Sequence, residues 1–209
     1  MGFFNSSCSF TRFRLVDTVP AELWGQIPEK LKQFAFRDID DLPEERAFGW
    51  TSFEDMLDME WTSAPPEKGA YLVFSLRLDT RRVPAGVIKK HLALALKEEK
   101  AKLNEQGKKF VSRERKKELK EQVLLKLRMR FLPVPAEFNV VWATDSGEIW
   151  FASTQSKVVE MFTEYFIRTF DLHIEPLTPY SLALTLLPEA AAPALDTLEP
   201  TTFATEPTA

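Results

Sequence analysis

The sequence predicts an α+β fold, with a mixed or antiparallel sheet body into whose middle a basic, antiparallel helical hairpin is inserted. Two observations carry this. Segments with strand-like alternation lie on both sides of the chain's centre, around 7–16, 71–78, 137–144 and 148–153, whereas residues 84–130 carry helical periodicity. The helical stretch also differs in charge: Arg77 to Arg130 holds 18 Lys and Arg against seven Asp and Glu, although the whole chain sums to −4. A chain that is acidic elsewhere and strongly basic in one segment points to a polyanionic partner rather than to a reaction. The body is expected to comprise 1–82 and 132–187, the arm 83–131, and 188–209 a disordered tail.

The element readings follow the chain. Residues 7–16 form a strand in which Phe13 breaks strict alternation, which predicts a bulge or cover on both faces. Pro20 opens a helical pattern that Pro28 divides, with Pro28 in the first turn of the second piece. Asp38 to Glu67 contains ten carboxylates and one basic residue, Arg46, and reads as irregular apart from a short strand near Ala47–Phe53. Pro65-Pro66 and Lys68-Gly69 signal a turn before the strand Tyr71–Leu78, in which Tyr71, Val73, Ser75 and Arg77 face one way and Leu72, Phe74, Leu76 and Leu78 the other.

Pro84 starts the first long helix, which runs to about Gln106, with Gly107 as its stop and Ile88, Leu92, Leu96 and Leu103 as its apolar stripe. Ser112 is the expected N-cap of a second helix, to about Arg130, seamed by Leu119, Val123 and Leu127. Pro133 and Pro135 end it. Strands at Glu137–Thr144 and Glu148–Ser153 flank the turn Asp145-Ser146-Gly147, and Ser156–Phe170 is an amphipathic helix. Asp171–Leu177 and Tyr180–Leu187 read as short strands, and the Ala, Pro, Thr and Glu tail after Pro188 has too little apolar area to offset its ordering entropy.

Several function classes find no support. Cys8 is the single cysteine, so no internal disulfide framework exists, and Met1–Phe10 has neither the basic nor the apolar run of a signal peptide. No apolar stretch is long enough for a membrane span, so the expectation is a cytoplasmic, nucleoid-associated protein without a membrane partner. The glycines are scattered and form no phosphate loop; His91 and His173 stand far apart, without metal-ligand spacing. No catalytic residue, metal or cofactor is predicted. The acidic 38–60 stretch leaves one enzymatic alternative, a metal-dependent exonuclease, because clustered carboxylates suit hard divalent cations. A protein–protein interaction module acting through the basic arm is the other alternative.

The candidate binding residues are Lys89, Lys90, Lys97, Lys100, Lys108, Lys109, Arg113, Lys116, Lys117 and Lys120. Lys-rich helical faces also serve solubility, but such faces mix signs, and this one is biased by more than two to one. A basic stripe of this kind binds phosphates by counterion release, without reading sequence. Phe110 at the arm's turn and Phe131 at its base are either hairpin staples or contacts for a partner subunit.

The run Val83-Pro84-Ala85-Gly86-Val87-Ile88-Lys89, the lysine-rich helix pair with its Leu119–Leu127 segment and the hairpin Val141-Trp142-Ala143-Thr144-Asp145-Ser146-Gly147 resemble the recombination-associated RdgC family. Gly49-Trp50 and Ile174-Glu175-Pro176-Leu177 are similar in kind and order. The resemblance spans roughly Phe10 to Leu187 and rests on order and spacing. It implies a homodimeric ring with a positively charged hole that encircles DNA, duplex and also single-stranded, without sequence preference and limits access of the RecA recombinase. The ten arm cations would line that hole. Family members usually continue into a further C-terminal region where this sequence has the Pro/Thr/Ala tail, so an open clamp stands beside the closed ring.

Overall fold

The computed structural model describes residue 3 and residues 6–105 and 110–199. Seven strands form one antiparallel sheet: β1 (Thr11–Leu15), β2 (Arg46–Thr51), β3 (Glu67–Lys68), β4 (Tyr71–Thr80), β5 (Val134–Ala143), β6 (Glu148–Phe151) and β7 (Ile174–Pro176). The order across it is β2-β4-β5-β6-β1-β7, with β3 beside the start of β4. The longest ladder joins β4 to β5 in unbroken register from Tyr71↔Ala143 to Thr80↔Val134. Two helices, α3 (Ala85–Glu105) and α4 (Arg113–Arg128), connect these two central neighbours. The predicted arm is thus the connection of a β-hairpin, and both its ends are rooted at one end of the sheet.

Period-two alternation divides the sheet into an apolar and a polar face. Phe13, Trp50, Leu72, Phe74, Leu76, Val140, Trp142, Ile149 and Phe151 form the core on one side. Helices α2 (Ile27–Gln33) and α5 (Ser156–Phe170) supply Ile27, Leu31, Phe162, Phe166 and Phe170 to it. Pro28 lies in the first turn of α2, separated from the short α1 (Ala21–Trp24) as expected. The aromatic content becomes a continuous ring cluster, with Phe151 stacked on Phe162 at 4.0 Å and Trp50 wedged between Phe74 and Tyr165. The indole of Trp50 donates to Thr169 Oγ1 at 2.9 Å, which satisfies its polar atom inside the core. At Gly49 an added Cβ would lie 2.4 Å from Phe36 Cα, so the close crossing of residue 36 over β2 needs glycine.

The other face is polar and partly buried. Arg77 makes a two-point ion pair with Asp79 (2.8 Å for both bonds) and stacks on Phe36 with its guanidinium carbon 4.1 Å from the ring centre. Asn139 donates to Ser75 at 2.8 Å. The acidic 38–67 stretch packs here through its main chain. Burial pushes the Asp58 carboxyl up, but hydrogen bonds from the Ser63 hydroxyl and from the amides of Ser63, Thr62 and Glu60 outweigh it and hold the group well below the usual carboxylate range. Asp38 and Asp55 accept from the amides two residues on, Asp40 and Leu57.

Arg81 fixes the end of this stretch. Its side chain is buried, and its two terminal nitrogens donate to the carbonyls of Ile39 (2.8 Å), Asp40 (3.1 Å), Glu44 (2.9 Å) and Leu42. Its own amide donates to Glu45 O at 2.8 Å. One cation thereby ties the 39–45 loop to the last turn of chain before the arm.

Three expectations are corrected. Phe13 is fully buried between the exposed Arg12 and the half-buried Arg14, and the β1–β6 register runs without a bulge, so alternation holds. Residues Pro179–Leu186 form a helix, α6, not a strand, because Thr178 and Ser181 make a reciprocal capping box and Pro179 presets the first turn. The segment expected to be structureless after Pro188 contains a 3₁₀ turn, Glu189–Ala191, and a short helix α7, Ala192–Asp196, where alanines favour helix and Pro193 lies in its first turn; residues 200–209 lie outside the described part.

Arg81→Lys is expected to destabilise the chain by about 3 kcal/mol, since one ammonium cannot reach four carbonyls and the rest stay buried without a donor. Urea unfolding followed by tryptophan fluorescence measures this; an unchanged midpoint refutes the anchoring role.

Candidate nucleic-acid interface

The two arm helices hold each other through a narrow seam. Leu119, Val123 and Leu127 are buried on α4, as is Val111 just before it, whereas no residue of α3 is fully buried. Ser112 caps α4 by accepting from the Arg115 amide at 3.1 Å, as its position predicts. The apolar contact is supplemented by a forked ion pair between the helices. Arg115 Nε and Nη2 donate to the two carboxylate oxygens of Glu99 at 2.7 and 3.2 Å, and Nη1 donates to Glu118 at 2.9 Å. Hydrogen bonding to Arg115 lowers the Glu99 pKa, and the same bonds raise that of Arg115. At the root, Arg128 pairs with Glu45 of the loop that Arg81 anchors.

Eight of the ten predicted cations are described: Lys89, Lys90, Lys97, Lys100, Arg113, Lys116, Lys117 and Lys120 are all exposed, and none pairs with a carboxylate among the described residues. Lys108 and Lys109, with the turn that carries them, lie outside the described residues. On α4 the spacing of Arg113, Lys116, Lys117 and Lys120 is i, i+3, i+4, i+7, which is one helical face. On α3 the four lysines fall within an arc of roughly 100°. Measured from the Glu99–Arg115 contact at 100° per residue, the α3 quartet is centred about 130° round and the α4 quartet about 150° round in the same sense. Because the helices run antiparallel, equal rotations turn both quartets to the same side of the hairpin.

The basic surplus counted in the sequence is therefore not all available. Arg77 and Arg81 are buried in the body, and Arg115 and Arg128 are engaged within the arm and at its root. Periodicity finds exposed charge; it does not find a pair such as Glu99–Arg115, which forms only when two helices meet. His91 is half-buried and about 150° round from the α3 lysines, so it does not extend their face. Phe110 is 87% exposed, whereas its neighbour Val111 is buried, so Val111 and not Phe110 closes the hairpin. Phe131 is half-buried at the root.

The remaining candidates are structural or surface groups. Cys8 is half-buried and precedes β1. His173 pairs with Asp17 at the surface through its amide (2.6 Å) and Nδ1 (2.9 Å), and these bonds lower the Asp17 pKa, the amide bond contributing most. Among the described residues no three His, Cys, Asp or Glu side chains converge as a metal set, and no helix is long and apolar enough to cross a membrane. Within the acidic stretch, Glu45 and Glu54 are in ion pairs with Arg128 and Lys68.

Comparison with known proteins gives one family. No curated protein matches the chain significantly. The family model described as "Putative exonuclease, RdgC" matches residues 9–188, from just before β1 through α6, and so includes both the sheet and the basic arm. That span covers most of the 209 residues, and the chain belongs to the RdgC family.

Proposed function

We propose that this protein is a sequence-independent DNA-binding protein of the nucleoid that modulates homologous recombination or replication by occupying DNA and limiting recombinase access. One observation carries the reading: eight arm cations, exposed and without carboxylate partners among the described residues, lie along one side of a projecting helical hairpin. Such a row neutralises phosphates and releases their counterions, and it offers no groove-reading element, so affinity is indifferent to sequence. Lys108 and Lys109, between the two helices in sequence, add two further cations to the same segment. The protein is a homodimer, free as well as bound, in which Phe110, the most exposed large apolar side chain at the arm's end, seats against the partner copy. Occupied DNA is then closed to RecA-type filaments.

A second reading comes from the family model's own description, an exonuclease. It would draw on the 38–60 carboxylates, yet Asp38, Asp55 and Asp58 accept backbone amides and Glu45 and Glu54 hold cations. The non-enzymatic reading is therefore preferred.

Log affinity for duplex DNA is expected to fall linearly with log salt, and reversing Lys89, Lys97 and Lys100 together to Glu to flatten that slope by up to about 3. Fluorescence anisotropy across a salt series measures it, and an unchanged slope removes α3 from the contact. Phe110→Ser is expected to shift the free protein's mass in sedimentation from dimer toward monomer; an unaltered mass rules out the tip contact. End-labelled DNA incubated with Mg²⁺ or Mn²⁺ is expected to stay full length. Shortening that disappears on Asp38→Asn with Asp55→Asn would establish the exonuclease instead.

A further inference from the structure

Among the described residues, no helix covers one end of the sheet's core face. Two cross-strand rows run over it, Arg46↔Thr80↔Val134 and Phe48↔Leu78↔Ala136. Helix α5 borders this end with Lys157, Met161, Tyr165 and Arg168, spaced by four, four and three residues and hence one stripe. Two adjoining cavities result, of about 490 and 660 Å³, and Arg46 lines both. The smaller is floored by Leu78, Ala136, Phe138 and Met161; its charged lining among the described residues is Arg46, Arg82 and Lys157, with no carboxylate. The larger continues past Phe48 and Tyr165 to Arg37 and Arg168, and meets Asp38 and Glu44 on its loop side.

All five of these cations are exposed, and none forms an ion pair among the described residues. Two of them, Arg168 and Arg37, sit close enough to act on the Tyr165 hydroxyl, which donates to Phe34 O at 2.8 Å. An apolar concavity rimmed by cations is complementary to a ligand that is apolar at one point and anionic around it. We propose that this groove docks an extended acidic segment of a partner protein. One bulky apolar side chain of that segment enters the cavity over Leu78 and Phe138, and flanking carboxylates meet Arg46, Arg82 and Lys157.

The shape of the smaller cavity argues against an unpaired nucleic-acid strand. Bases stack on flat, accessible aromatic faces, whereas this floor is mainly aliphatic and concave, and its one ring, Phe138, leans on Phe151 at 5.8 Å. A Phe or Leu side chain fits such a recess better than a base does. The proposal stands apart from DNA binding by the arm, because none of the eight described arm cations lines either cavity.

The test uses the full chain and a fluorescein-labelled 12-residue peptide of Glu and Asp around a central Phe-Leu, read by anisotropy. Binding is expected to saturate. Arg46→Glu with Lys157→Glu, and separately Arg82→Glu with Lys157→Glu, are expected to weaken it at least about tenfold, as desolvated charge contacts at an interface do. Replacing Phe-Leu by Ser-Ser is expected to do the same, while Lys89→Glu with Lys97→Glu leaves it unchanged. These rim side chains are exposed, and an unaltered melting curve checks that each variant is folded. The proposal is overturned by absence of binding up to millimolar peptide, by loss on arm reversal but not on groove reversal, or by indifference to Phe-Leu. Selective loss of oligo(dT) binding in the groove variants would assign the groove to nucleic acid, and a changed mass of the peptide-free variants would assign it to a second copy; either result also overturns it.

Discussion

The buried guanidinium of Arg81 is the contact on which the arm's placement depends. A charge at this depth needs partners for its donors, and here main-chain carbonyls of the 39–44 loop accept from both terminal nitrogens, while Nε has no partner among the described residues. The arrangement works in both directions. The loop has no regular structure of its own, and the arginine gives its carbonyls a common donor; the arginine in turn is held where β4 gives way to the arm. Arg128 then joins the far end of the hairpin to Glu45 of the same loop. Both roots of the arm are thus referred to one short acidic segment.

This explains how a bipolar chain avoids folding its basic arm onto its acidic body. Several of the body's carboxylates are already engaged: Asp38, Asp55 and Asp58 accept from amides, Glu45 at the root holds Arg128, and Glu54, Glu148 and Glu175, toward the other end of the sheet, hold cations. A carboxylate with satisfied lone pairs gains little from a second, distant lysine. Distance adds to this. The 21 residues of α3 extend about 30 Å, several times the Debye length of about 8 Å at physiological ionic strength. The outer turns of the arm therefore present their charge to solvent largely unscreened by the body.

Much of this was legible in the sequence, and for local reasons. Helix α5 matches its apolar spacing at both ends, Ser112 caps α4, Pro28 starts α2, and the two faces of β4 follow from alternation. Each of these is decided by residues a few positions apart. At helix α6 the alternation of Tyr180, Leu182 and Leu184 suggests a strand, while the deciding feature is the Thr178–Ser181 box. In the arm, spacing gave the exposure of the lysines but not the pairing of Glu99 with Arg115, nor the removal of Arg77 and Arg81 from the usable charge. Those depend on which elements meet across the fold, and the groove beside α5 is of the same kind, since its walls come from three strands and a helix.

Arg81 and Arg82 also bear on how separate the two basic surfaces are. Adjacent residues in extended chain point to opposite sides, and here the first is buried under the 39–45 loop while the second is exposed at the rim of the smaller cavity. The cavity wall is thus one residue from the arm's anchor and three from the start of α3. Val134 lines the same cavity and lies just after the chain has left α4, so both roots of the hairpin border it. A ligand there contacts the two strands of chain through which any reorientation of the arm must pass. Arg46 also directly follows Glu45, which holds Arg128, so the groove's rim and the ion pair that steadies the far root lie on one short stretch of chain. Rigid anchoring at Arg81 and charge exposure at Arg82 make the arm and the groove neighbours in a mechanical sense, although their cations form separate rows.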